Sequence, residues 1–144
     1  MRTLIGSVLV ATWVLAGCQA GIPTFSVTLN DPADITMRPG DVVLIGDEPL
    51  RLTFQRVVED SRCPRDVQCV WAGNGMVRLG LTLGTDPEST ADVNTTLEPS
   101  HIAVGTYRIS LVALAPDPVS TSSIPSDAYR IHLLVELQPP PPPN

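Results

Sequence analysis

The chain has no lysine, only three cysteines, two histidines and six aromatic residues in a length of 144. With 9 basic residues, all arginine, against 15 acidic ones, its formal charge is −6. That is the wrong sign for a surface that neutralises nucleic-acid phosphates or holds anionic lipid by charge. Helical patterning is also missing: no segment repeats apolar residues at helical spacing over a useful length, and 15 prolines with 10 glycines interrupt the chain too often for long helices. The acidic residues Asp31, Asp34, Asp41, Asp47 and Glu48 lack the regular spacing of a calcium loop and read as solvated turns. Ser61, His101 and an aspartate supply the residue types of a hydrolytic triad, but no Gly-x-Ser-x-Gly turn positions them. Catalysis is therefore not expected, and no cofactor or metal is implied.

What is present begins with the leader MRTLIGSVLVATWVLAGCQ. One early charge, Arg2, precedes an apolar run at residues 4–16 that is too short to remain as a membrane-spanning helix, and small residues follow. The ending Leu15, Ala16, Gly17, Cys18 resembles the lipobox of bacterial lipoproteins. The resemblance implies cleavage before Cys18 and diacylglycerol on its thiol. An ordinary cleaved signal or an uncleaved anchor are the alternatives. Each buried methylene contributes about 0.8 kcal/mol, so two or three chains on Cys18 would hold the protein at the membrane almost irreversibly. Gln19 in place of the aspartate that commonly retains lipoproteins at the inner membrane implies the outer membrane in a Gram-negative cell.

Removing residues 1–17 leaves 144 − 17 = 127 residues with a charge of 8 − 15 = −7, enough for one domain with a core of its own. Within it the period is two. Leu50, Leu52 and Phe54 alternate with polar residues, as do Val77, Leu79, Leu81 and Leu83, and again Tyr129, Ile131, Leu133, Val135 and Leu137. Further strands are expected at 25–29, 42–45, 68–71, 93–97 and 107–114. Tyr107-Arg-Ile-Ser-Leu and Tyr129-Arg-Ile-His-Leu share one pattern, read as two core strands under the same burial rule. Seven to nine short strands, each with one apolar face, predict an all-β antiparallel sandwich, with a small barrel as the alternative. The expected layout is a signal peptide at 1–17, a lipidated cysteine and linker at 18–24, the sandwich at 25–137 and a polyproline tail at 138–144.

If lipid occupies Cys18, Cys63 and Cys69 remain as a pair in an oxidising compartment, and a disulfide is the expectation. Zinc would need two more ligands from His101 and His132 alone, and redox pairs are usually spaced two apart near a helix start. The bridge would staple a small loop and carry Trp71 into the core. The run EDSRCPRDVQCVWAG at 59–73 is similar to a motif of bacterial secreted proteins and lipoproteins without an assigned activity. The matching positions are Asp60, Ser61, Arg62, Cys63, Pro64, Val67, Cys69, Trp71, Ala72 and Gly73. The resemblance implies the disulfide and the extracytoplasmic setting.

Function follows only in outline. The expectation is a lipid-anchored envelope protein that acts as a non-catalytic binding or structural module. Its partners would be the membrane, through Cys18, and an envelope protein, with Asp60, Arg62 and Arg65 as candidate contacts and no role for nucleic acid. The alternatives are a protease inhibitor that presents Arg65 on the closed Cys63–Cys69 loop and, less specifically, a hydrolase.

Overall fold

A strand with one apolar face must cover that face, and this chain does so by stacking two sheets. The computed structural model describes residues 24–27, 32–46 and 49–138. The leader, Cys18, most of the linker, and residues 139–144 of the tail lie outside the described residues. Nine strands run in the order β1 (Thr24–Val27), β2 (Ala33–Met37), β3 (Val42–Ile45), β4 (Leu50–Asp60), β5 (Gly75–Leu83), β6 (Ser89–Asn94), β7 (His101–Val104), β8 (Tyr107–Ala115) and β9 (Arg130–Leu137), with a short 3-10 turn at Ser126–Ala128. One sheet has the order β1-β3-β4-β5-β6 and the other β2-β9-β8-β7. Every pairing is antiparallel except β1 with β3, which is parallel. Both sheets keep open edges, so the architecture is the expected sandwich and not the barrel. Among the described residues no helix is long and apolar enough to cross a membrane.

The core is the sum of the alternating faces. Leu50, Leu52 and Phe54 of β4, with Val77 and Leu79 of β5, meet Ile109 of β8 and Ile131, Leu133 and Val135 of β9, all fully buried. Burial of each such side chain contributes about 1.5–3 kcal/mol. In β8 the alternation Tyr107, Ile109, Leu111 would turn Leu114 outward. A register shift between Leu111 and Ala113 corrects this: Leu114 is buried, and Val112 is extruded to solvent.

The sequence reading needs four corrections of detail. β2 and β7 were not expected: both are short edge strands, and the alternation of Ala33, Ile35 and Met37 with Asp34 and Thr36 spans only five residues. The last strand of the first sheet is Ser89–Asn94 and not 93–97. Residues 68–71 form no strand, and Trp71 does not enter the core but is 82% exposed. The reason is visible locally: the backbone of Ala72 is already paired with Cys63, so the turn lies between them and Trp71 falls on its outside.

These burial patterns predict that Phe54→Ala lowers the unfolding free energy by about 3–5 kcal/mol, whereas Val112→Ala changes it by less than about 0.5 kcal/mol. Urea midpoints with unchanged slopes would check both.

Candidate functional site

At one end of the sandwich, the ends of β4, β6 and β8 deliver three connections: residues 61–74, 95–100 and 116–129. The first is a hairpin that outruns its strands. Ser61 N–H donates to the Asn74 carbonyl at 2.7 Å and Cys63 N–H to the Ala72 carbonyl at 2.9 Å. Beyond them Cys63 and Cys69 are joined, with sulfurs 2.12 Å apart. Closing so small a loop contributes about 2 kcal/mol by restricting the unfolded chain. Gly73 permits the turn back: its φ is +72°, and a Cβ there would stand 1.8 Å from the Ser61 carbonyl oxygen.

The hairpin is tied to the opposite sheet through Arg62. Its Nε and Nη2 each donate to the Asp60 carboxylate at 2.7 Å, forming a two-pronged pair. Nη2 also donates to the Pro116 carbonyl at 2.8 Å, and Nη1 donates to the Leu114 carbonyl. The Tyr129 hydroxyl completes the cluster by donating to Asp60 at 3.0 Å. Both charged side chains are nearly buried, at 12% and 11% exposure. Burial pushes the Asp60 carboxyl up, but the Arg62 hydrogen bonds and charge more than offset this and hold it below the usual carboxylate range. Burial, and then the bond to Asp60, raise the Tyr129 phenol above its ordinary value.

A second tie runs to residues 95–100. Asn74 and Asn94 are the buried polar side chains of the described residues. Asn74 Nδ2 donates to Asn94 Oδ1 at 2.8 Å, and Asn94 Nδ2 donates to the Pro99 carbonyl at 3.2 Å. Thr96 N–H donates to Asn74 Oδ1 at 3.3 Å. Every buried side-chain polar atom among the described residues has a partner. Sequence reading missed this pair; their place beside Gly73 and after a buried valine was the available signal.

Asp60 and Arg62, named above as candidate contacts, are brought together and bond to each other, to Tyr129 and to carbonyls at the end of the facing sheet. Arg65 is exposed, but its N–H donates to the Pro118 carbonyl at 3.0 Å and the chain folds back at once, Val67 N–H donating to Pro64 at 3.2 Å. Asp66 accepts from Ser120 N–H at 2.8 Å and from the Ser120 hydroxyl, which lower its carboxyl. The turn is thus pinned to residues 116–129 through Pro118 and Ser120. The Ser61 hydroxyl donates to the Asn74 carbonyl at 3.1 Å and accepts from Asn74 N–H at 3.2 Å, and no hydrogen bond joins it to His101 among the described residues. His132 lies 3.4 Å from Asp34 on the outer face of the second sheet. No group of three or more metal-ligating side chains occurs among the described residues. Asp31, Asp47 and Glu48 lie outside them.

Large apolar side chains also stay outside the core at this end. Val70 is 90% exposed, and Trp71 stands with Leu97 around a hollow of about 370 Å³ floored by Ser61, Gly73, Asn74 and Thr96. Beside the β2–β3 turn a broader hollow of about 650 Å³ mixes Arg38, Arg56 and Arg130 with Asp41 and Asp127. No family model, no curated protein and no solved structure matches the chain.

Two measurements follow. Because folding depresses the Asp60 pKa, its contribution to stability is complete above the unfolded value of about 3.9 and is lost as the pH falls through the folded value. Asp60→Asn should therefore flatten the acid limb of a stability-against-pH profile below about pH 4, while lowering stability at pH 7. Separately, Gly73→Ala should lower the melting temperature clearly, whereas Trp71→Ala should cost less than about 0.5 kcal/mol; a large loss in the latter would return Trp71 to a structural role.

Proposed function

We propose that the protein is a lipid-anchored module of a bacterial cell envelope that binds, without catalysis, through the loop end of its sandwich. The observation that carries this reading is Trp71, 82% exposed at the rim of a hairpin that is otherwise fixed by a disulfide, a guanidinium–carboxylate pair and a buried amide pair. Tryptophan offers a large apolar face with an N–H handle, and displaying it on a frame already ordered reduces the entropy lost on contact. Among the described residues, each other residue of the 60–73 motif named above has a fold role as a bond partner, bridge or turn, including Val67 through its N–H to Pro64, and the Trp71 side chain has none.

The location rests on the lipobox-like Leu15, Ala16, Gly17, Cys18 and on the Cys63–Cys69 bridge, which suits an oxidising compartment. Gln19 favours the outer membrane where the cell has one. Lipid on Cys18 would supply attachment, leaving the loop end to supply recognition.

Intact mass spectrometry of the protein extracted from membranes should show loss of residues 1–17 and an acylated Cys18. An unmodified amino terminus would refute the anchor. With photo-crosslinking residues placed singly in living cells, Val70 and Leu97 should give adducts and Val112 should not. Equal labelling at all three positions, or none at the loop end, would refute the recognition surface.

A further inference from the structure

We infer that the occupant of the loop end is the bilayer interface itself, so that the hairpin carrying Val70 and Trp71 enters the headgroup layer to which Cys18 is attached. The inference rests on the lipid-anchored reading above.

It starts from where the tether joins. β1 pairs in parallel with β3, and β3 runs away from the loop end, as its register with β4 shows: Val42 pairs with Thr53 and Ile45 with Leu50. The start of β1 therefore faces the loop end. Thr24 stands level with Val42, Thr53 and hence Gly80. From Gly80, Ala72 lies 80 − 72 = 8 residues towards the loop end along the hairpin, about 26 Å at roughly 3.3 Å per residue. Sideways, β1 and β5 are three strand spacings apart in their sheet, about 14 Å.

The tether is shorter than the hairpin. From Cys18 to Thr24 is 24 − 18 = 6 residues, which reach at most about 20 Å when fully extended. A domain standing upright on this tether cannot hold Trp71 clear of the bilayer.

The surface placed there suits that contact. Of seven exposed large apolar side chains among the described residues, four, Val67, Val70, Trp71 and Leu97, lie in residues 61–74 and 95–100. Tryptophan is the side chain most at home at headgroup depth, with its ring among acyl carbons and its N–H at the wet boundary. Charge does not drive the contact: Asp60 and Arg62 neutralise each other, the exposed Arg65 sits beside Asp66, and Asp66, Glu98 and Asp117 are acidic, so this end carries no net positive charge. A net negative protein whose loop end gains no attraction to anionic lipid should insert through Val70, Trp71 and Leu97, independently of lipid charge and salt.

The test uses a convenience of the sequence. Of its two tryptophans, Trp13 lies in the leader, so the processed protein fluoresces from Trp71 alone. The full processed protein, with its native modification, is reconstituted into phosphatidylcholine vesicles with and without chain-brominated phosphatidylcholine. Expected are a blue-shifted emission, quenching by more than half in brominated vesicles, and no change in 1 M sodium chloride. A Val70→Asp, Leu97→Asp double variant should still float with the vesicles and escape most of the quenching. Unquenched emission from floated protein would overturn the inference and leave the anchor standing, with the loop end turned to a protein. Quenching that persists undiminished in the double variant would overturn it too. Protein that does not float at all would bring down both the inference and the anchored reading.

Discussion

One guanidinium fixes the geometry of the loop end. Arg62 leaves the last turn of one sheet, grips the carboxylate two residues before it, and spends its remaining donors on carbonyls at the end of the facing sheet. Tyr129, from the other side, closes on the same carboxylate. Two apolar layers packed face to face can slide, because burial has no direction. Directed bonds at the rim remove that freedom. They set where the 61–74 hairpin lies relative to residues 116–129, and so where its apolar edge is aimed.

The second consequence of that arrangement is a division of labour between neighbouring residues. Asn74 and Asn94 tie the same hairpin to the third connection, so it is held from both sides. So held, it keeps Val70 and Trp71 in water, where large apolar groups gain nothing for folding. The mixed hollow near the β2–β3 turn differs in this respect, since its arginines face aspartates and its Tyr129 already serves the core.

The sandwich was legible because alternation at period two is a direct record of which side chains are buried, and Leu50, Val77 and Tyr129 begin such series. Short edge strands were not legible, since β2 and β7 need bury only a few side chains to belong to a sheet. The cysteine bridge could be anticipated from cysteine parity and resemblance, whereas the Asp60–Arg62 pair, read as candidate contacts, shows its partners only once β4 and β8 lie together. The fate of Trp71 could not. A tryptophan in an apolar run reads as core, and only the closing of the hairpin by Ala72 and Cys63 decides that it lies outside. The asparagine pair was hidden for the reverse reason: its partners lie 20 residues apart and meet only when β5 and β6 are in register.

The parallel alignment of β1 has a mechanical meaning. A pull on Thr24 towards the loop end acts along the strand, so the four residue pairs joining β1 to β3 are loaded together in shear, not opened one after another like a zipper. A domain pulled through its amino-terminal side would thus resist at all of those bonds at once, unlike an edge strand peeled from its end.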